Sequence, residues 1–204
     1  MPGKKKIPAD LSTEEKIREA ARTVFTQKGY AATRTRDIAE EAGINLALLN
    51  YYFRSKEKLF EVVMAEKVQQ LFGVIAPVMN DSATSLEQKI ELIAVSYIEV
   101  LSRNPDLPLF VLSELRRDPE QLSRRFQARS LLRESVFVQQ LQQRKPDIHP
   151  IQFIVSLLGM SLFPFLSRPI LVNSGGLNQK AFDALVEARK TLVPMWMKAI
   201  LDCS

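Results

Sequence analysis

The sequence predicts an all-α protein in which a small three-helix domain precedes a larger helical domain. Capping boxes at Ser12 and Ser85 each open a segment whose apolar residues recur at helical spacing. Prolines at positions 105, 119 and 146 end the later segments, because proline cannot continue a preceding helix. Strand-like alternation is absent from the sequence, and 204 residues with 46% hydrophobic content are enough for one small and one larger core.

We divide the chain into a basic arm over residues 1–10, a small domain over 11–58 and a larger domain over 59–204. The first helix starts after Ser12. Ser55 is a suitable cap for a helix that runs towards Pro77 and joins the two domains. The larger domain is expected to contain a helix that begins at Ser85 and ends at Asn104, followed by helices over 109–116, 121–143, 150–167 and 178–201.

Two short helices, expected over 35–42 and 45–53, are separated by Gly43. Glycine takes a positive φ without strain, so it can end the first helix and turn the chain within about 3 to 4 residues. Ile38, Ala39 and Leu49 then supply apolar contacts between the two helices and leave one face of the second helix free. This pattern is typical of a helix-turn-helix that reads the major groove of DNA.

The free face of the second short helix and the basic residues around it are the candidate DNA contacts. Small and hydrogen-bonding side chains at the start of a helix suit the major groove, because amides can then meet base edges. Arginines at the amino end of the first short helix oppose its macrodipole, and a DNA phosphate would reverse that cost. The alternative is an ordinary pair of surface helices with solvated charges. The candidates are Arg34, Thr35, Arg36, Asn45, Leu46, Ala47, Asn50, Tyr51, Tyr52 and Lys56.

The positive charge of the protein is concentrated in the part that carries this motif. Residues 1–60 contain 12 Lys and Arg against 8 Asp and Glu, whereas the remaining residues contain 16 against 15. Of the net charge of +5, therefore, +4 lies within the first 60 residues. A basic domain favours a polyanionic partner such as double-stranded DNA.

Several short motifs between residues 17 and 60 together resemble the amino-terminal domain of TetR-family transcriptional regulators. They are Phe25, Gly29-Tyr30, Thr33, Thr35, Asp37-Ile38-Ala39, Ala42-Gly43, Tyr51-Tyr52-Phe53 and Ser55-Lys56-Glu57. The chain departs from the family pattern at Asn50, where a tyrosine is usual, and around Leu46 and Ala47. The resemblance implies a homodimer that binds a palindromic operator, acts mostly as a repressor, and is released by a small-molecule effector.

The last two predicted helices are the candidate dimer interface. Residues 151–166 are apolar nearly all round, and such a helix must be covered on both sides, by its own domain and by a second subunit. The alternative is an internal core helix of a monomer. The segment is too short for a membrane span, which needs about 20 apolar residues, so no membrane partner is expected. The predicted interface residues are Phe153, Ser156, Gly159, Met160, Phe163, Val186, Val193 and Trp196.

The larger domain also contains aromatic residues that are candidates for the wall of an effector pocket. An apolar pocket would suit an apolar or amphipathic effector, whose existence the resemblance implies. The alternative for each of these residues is a place in the ordinary hydrophobic core. The candidates are Phe72, Tyr97, Phe110, Phe126, Phe137 and Phe163.

The sequence offers few residues for catalysis or metal binding. His149 is the one histidine and precedes Pro150, where it is expected to lie at the start of a helix, and Cys203 is the one cysteine. We therefore expect neither an enzyme nor a cofactor or metal site. A single thiol and the lack of a secretory signal favour a cytoplasmic location. The alternative function is a helical small-molecule carrier with only non-specific affinity for DNA.

Overall fold

The computed structural model describes residues 12–104, 107–125 and 128–203, and every regular element among them is an α-helix. This confirms the predicted all-α fold. The helices are α1 (Thr13–Ala32), α2 (Thr35–Ala42), α3 (Leu46–Tyr52), α4 (Lys56–Phe72), α5 (Ile75–Asn80), α6 (Leu86–Arg103), α7 (Leu107–Arg117), α8 (Pro119–Arg125), α9 (Ala128–Arg133), α10 (Val136–Arg144), α11 (Pro150–Asn173) and α12 (Gln179–Asp202).

The chain forms two compact units, residues 1–67 and residues 68–204. The division falls inside α4, further along the chain than the boundary after residue 58 that the sequence suggests. The reason is that the first turns of α4 pack against α1. The ring of Phe60 lies 4.9 Å from that of Phe25 and 4.7 Å from that of Tyr30, measured between centroids. The arm predicted over residues 1–10 lies outside the described residues.

The first unit is built around the apolar side of α1. The predicted capping box is present: the Ser12 hydroxyl accepts from the main-chain N–H of Glu15, and the Glu15 carboxylate accepts from the N–H of Ser12. Gly29 has a φ of 72° and interrupts α1 before its last residues. Glycine adopts this φ at little cost, so the chain can bend there towards α2. The core of the unit contains Ile17, Ala20, Ala21, Val24, Phe25, Ile38, Ala39, Leu49, Leu59 and Phe60.

The second unit is organised around α6, which packs against α5, α10, α11 and α12. Its capping box at Ser85 and Gln88 is present, as the sequence predicts. Apolar residues of α6 recur every three or four positions and face the packed helices, which gives a single core for the unit. That core includes Ile90, Ile93, Tyr97, Ile98, Leu101, Phe137, Phe153, Leu157, Phe182, Val193 and Met197.

The prediction of a single helix over 121–143 was wrong, because α8, α9 and α10 occupy this part of the chain. Ser135 explains the break between the last two. Its hydroxyl donates to the carbonyl oxygen of Leu131 at 2.8 Å and accepts from the N–H of Val138 at 3.4 Å. It therefore ends one helix and caps the next.

The predicted end of the next helix near residue 167 was also wrong, since α11 continues through Pro164 and Pro169 to Asn173. At 24 residues it is long and apolar enough to cross a membrane by length and composition. The segment is therefore not too short for a span, contrary to the prediction from sequence. One side of α11, with Phe153, Ile154 and Leu157, is buried within the second unit.

Candidate nucleic-acid interface

The turn between α2 and α3 has the geometry of a helix-turn-helix. Gly43 has a φ of 69° and a ψ of 30°. Its N–H donates to the main-chain carbonyl oxygen of Glu40, and the N–H of Ile44 donates to that of Ala39. A Cβ atom at position 43 would meet no atom within 4 Å, so the backbone conformation, and not a lack of space, favours glycine. Asn45 then caps α3, because its Oδ1 accepts from the N–H of Leu48 at 2.8 Å.

Asp37 fixes the start of α2, a role that the sequence analysis did not assign to it. Its carboxylate accepts from the N–H of Arg34 at 3.2 Å and from the ammonium group of Lys28 at 3.0 Å. The hydrogen bond from Lys28, followed by the one from Arg34, lowers the pKa of Asp37. An acidic group therefore already lies in the first turn of α2, so Arg34 and Arg36 do not need a phosphate to offset the helix dipole.

Lys56 connects the end of α1 to the start of α4. Its ammonium group donates to the carbonyl oxygens of Tyr30 at 2.9 Å and Thr33 at 3.0 Å, and lies 4.2 Å above the centroid of the Tyr30 ring. These carbonyls lie at the end of a helix and need donors from outside it. Lys56 stays a predicted DNA contact, but it also holds α1 and α4 together.

The outer face of α3 is exposed opposite its buried residue, Leu49. Tyr51 is 80% exposed and Tyr52 is 41% exposed, with their rings edge to face. Ala47 and Asn50 are exposed beside them. The other two side chains on the exposed surface are Leu46 and Leu48, each 37% exposed. Leu48 is not among the predicted contacts.

Exposed basic side chains precede and follow α3 along the chain, within the same unit. Arg34 and Arg36 belong to the start of α2, while Arg54 and Lys58 follow α3; all four are exposed. Thr35, the remaining predicted contact, is half-buried. An exposed helix face without charged side chains, preceded and followed in the chain by cations, can enter a major groove while the cations contact phosphates.

The comparison with protein families agrees with this geometry. A family model described as "Bacterial regulatory proteins, tetR family" matches residues 17–63, which include the helix-turn-helix and the start of α4. The chain belongs to the TetR family. It is therefore a transcriptional regulator, and members of this family are not enzymes, in agreement with the sequence analysis.

Relatives of this TetR-family chain include two curated regulators and a solved structure. It is 28% identical to the probable HTH-type transcriptional regulator YttP of Bacillus subtilis over 76% of this chain and 78% of YttP. It is 29% identical to the transcriptional repressor KstR2 of Mycolicibacterium smegmatis over 48% of each chain. The structure of FadR from Bacillus subtilis in complex with stearoyl-CoA has the same fold, with a TM-score of 0.60, 18% identity, and coverage of 88% of this chain and 96% of FadR.

The predicted effector residues of this TetR-family chain do not form one described pocket. Tyr97 and Phe137 are buried, Phe72 is half-buried and Phe163 is 66% exposed. The side chains of Phe110 and Phe126 lie outside what the structure describes. A cavity of about 260 Å³ at α6, α11 and α12 is lined partly by Phe165, Phe182 and Val186, and by none of the six predicted residues.

The predicted dimer interface needs correction. Phe153, Val186 and Val193 are buried within the second unit, where α11 and α12 pack on α6, so they cannot supply an exposed surface. Ser156 and Met160 are half-buried, and Gly159 is exposed, as are Phe163 and Trp196. Exposed apolar residues that the sequence analysis missed are Val155, Ile170 and Met195, which are 59%, 67% and 51% exposed.

His149 is a structural residue, as the sequence predicts. It caps α11, where its Nδ1 accepts from the N–H of Ile151 at 3.3 Å. Among the residues that the structure describes, no group of three or more His, Cys, Asp or Glu side chains is placed to hold a metal ion.

Proposed function

We propose that this regulator binds a palindromic DNA operator as a homodimer, represses transcription there, and is released by a small apolar or amphipathic effector. The observation that carries the proposal is the exposed face of α3 around Ala47, Asn50 and Tyr51, opposite buried Leu49 and preceded and followed in the chain by cations. The name of KstR2 as a repressor supports repression. We further propose a cytoplasmic location, where such a protein would meet DNA.

The homodimer is supported by an apolar stripe on the outer side of α11. Val155, Phe163 and Ile170 are each more than half exposed, and Gly159 lies between the first two at helical spacing. Large exposed apolar side chains in a row usually mark a protein interface. A two-fold axis at this stripe would pair it with itself, and a dimer is what two half-sites about 34 to 36 Å apart require.

The effector class is supported by the cavity at α6, α11 and α12 and by a solved structure of the same fold. Phe165, Phe182 and Val186 give this cavity an apolar part. The FadR structure holds stearoyl-CoA, an amphipathic molecule with a long acyl chain. We propose that the effector of this chain is likewise a molecule with an apolar portion, bound by the second unit, and that its binding weakens operator affinity by selecting a different conformation.

The first experiment is selection of random duplexes by the purified full-length protein, followed by sequencing and footprinting at physiological salt. An enriched palindrome is the expected result. Binding that depends on salt but enriches no sequence would instead favour the alternative function, a small-molecule carrier with non-specific DNA affinity. A change at an exposed residue of α8, Ser123→Ala, serves as a control that should select the same palindrome.

The second experiment adds fatty acids and acyl-CoA thioesters of increasing chain length to the preformed complex with that palindrome. Release of DNA at micromolar concentration by one chain-length range is expected. If none of these amphiphiles releases the DNA, the proposed effector class is wrong, while the operator-binding proposal stands.

A further inference from the structure

The outer face of α3 lacks the side chains that most often recognise G·C pairs. From Asn45 to Phe53 the sequence is Asn-Leu-Ala-Leu-Leu-Asn-Tyr-Tyr-Phe, without Arg, Lys, Asp or Glu. Guanine is read most often by Arg or Lys at O6 and N7, and the cytosine amino group by Asp or Glu. The cations of this unit lie before and after α3, where they suit phosphates better than bases.

The two asparagines of this segment are not equivalent. The Oδ1 of Asn45 accepts from the N–H of Leu48 at 2.8 Å, so its amide is used to cap the helix. Asn50 is exposed and its side chain makes no hydrogen bond to any residue that the structure describes. An asparagine amide can accept from N6 of adenine while donating to N7, which is a bidentate contact that no other base offers.

Two apolar side chains lie next to Asn50 on the same side of the helix. Ala47 lies three residues before it, and residues at this spacing are neighbours on a helix surface. Leu46 lies four residues before Asn50, on the same side of the helix, and is 37% exposed. The thymine methyl is the one apolar group that a base pair presents in the major groove. The short side chain of Ala47 allows the helix to come close to it.

We infer that each operator half-site contains an A·T pair whose adenine is bound by Asn50, next to a thymine whose methyl contacts Ala47 or Leu46. This inference rests on the proposed function, in which α3 enters the major groove. Arg34, Arg36 and the cations after α3 then hold the phosphates without reading sequence.

The test uses the palindrome obtained by selection and two base analogues placed at one half-site position at a time. Replacement of adenine by 7-deazaadenine removes the N7 acceptor, and replacement of thymine by uracil removes the methyl group. Full-length wild-type protein and Asn50→Ala are compared by Kd. For the wild type, one 7-deazaadenine position should raise Kd about 5- to 100-fold.

The Asn50→Ala variant distinguishes the contact to adenine from the contact to the thymine methyl. Asn50→Ala should lose its sensitivity to that 7-deazaadenine while it keeps the sensitivity of the wild type to uracil, because different residues make the two contacts. Equal thermal midpoints of the two proteins, expected for an exposed residue, show that the fold is intact.

Two results would overturn the inference and leave the proposed function in place. One is an enriched palindrome whose major-groove positions, protected by the protein, are G·C pairs. The other is a 7-deazaadenine effect of the same size in the wild type and in Asn50→Ala. A selection that enriches no sequence would instead overturn the proposed function itself, and this inference with it.

Discussion

Arg189 of α12 donates two hydrogen bonds to the carbonyl oxygen of Met160 in α11, from Nε at 3.1 Å and from Nη2 at 2.9 Å. In a regular α-helix this oxygen would accept from the N–H of the residue four positions later. That residue is Pro164, which has no N–H. Arg189 therefore satisfies a carbonyl that the proline leaves without a partner, and it joins the middle of α11 to α12. Burial at this position lowers the pKa of Arg189.

The first prediction concerns this pair. Arg189→Met should lower the free energy of unfolding by about 1 to 3 kcal/mol, because a partly buried carbonyl loses its donors. Urea unfolding at fixed protein concentration, monitored by the fluorescence of Trp196, measures this free energy. The centre of the Arg189 guanidinium lies 5.4 Å from the centroid of the Trp196 ring. In a Pro164→Ala background the loss should be smaller, since the introduced alanine supplies the missing N–H. The same loss in both backgrounds would mean that Arg189 acts through packing and its contact with Trp196, and not through the carbonyl of Met160.

The second prediction tests the apolar stripe of α11. Phe163→Glu and Gly159→Glu should each give monomers in analytical ultracentrifugation, because a charge would face the symmetry-related stripe without a partner. Phe163 is 66% exposed, and a Cβ atom at position 159 would meet no atom within 4 Å, so both positions have space for a new side chain in the isolated subunit. Ser123→Glu, at an exposed position of α8, is the matched control and should stay dimeric. Dimers of unchanged mass for both variants would exclude α11 from the interface.

The helix-turn-helix could be predicted because its signals are local. Gly43 requires a positive φ, Asn45 is a cap, and Leu49 lies at the right spacing to be buried, so short stretches of sequence specify the turn. The partners of Lys56 could not be predicted, because they depend on the end of α1 meeting the start of α4.

The predicted dimer surface was partly wrong for a related reason. A helix that is apolar all round has no periodic signal to show which side faces its own core, so the burial of Phe153 and the exposure of Val155 were not predicted. The length of α11 was underestimated because proline normally ends a helix, whereas here Arg189 on another helix compensates at Pro164. Such compensation arises from tertiary contacts and leaves no mark in the local sequence.

The third prediction separates two roles for cations near the DNA-binding face. Lys56→Met should lower the stability of the first unit by about 1 to 3 kcal/mol, because the carbonyls of Tyr30 and Thr33 lose a charged donor. Arg36→Ala, at an exposed position, should leave stability within about 0.5 kcal/mol. It should instead reduce the slope of log K for DNA binding against log salt concentration by about 0.9, both for the selected palindrome and for random DNA.

Thermal unfolding and DNA titrations at three salt concentrations measure both effects. Lys58→Met is the control for Lys56→Met, since the Lys58 side chain is 71% exposed and pairs with Glu61 of its own helix. A Lys56→Met protein that is as stable as the Lys58→Met protein would contradict the structural role of Lys56. An unchanged salt slope for Arg36→Ala would remove that residue from the phosphate contacts.

The fourth prediction concerns Lys89, which is fully buried near the start of α6. Its ammonium group donates to the carbonyl oxygen of Thr84 at 2.6 Å and to the Thr84 hydroxyl at 3.0 Å. Burial lowers the pKa of Lys89, and the nearby Asp81 opposes that effect. In the unfolded chain the pKa of this lysine is about 10.4, so the unfolded chain binds the proton more tightly than the folded protein does. Between the lowered pKa and about pH 10.4, stability from this group rises with pH.

Lys89→Met removes the titration while it keeps an apolar stem of similar length. The difference in unfolding free energy, wild type minus variant, should therefore increase as pH rises towards about 10, by at most about 1.4 kcal/mol per pH unit. Tyr97 does not disturb the comparison: burial raises its pKa, so it favours the folded state until alkaline pH, but it is present in both proteins. Urea unfolding at pH 7, 8, 9 and 10 measures the difference. A constant difference across this range would mean that Lys89 keeps its proton in the folded protein as readily as in the unfolded chain, and that the two hydrogen bonds to Thr84 fully offset its burial.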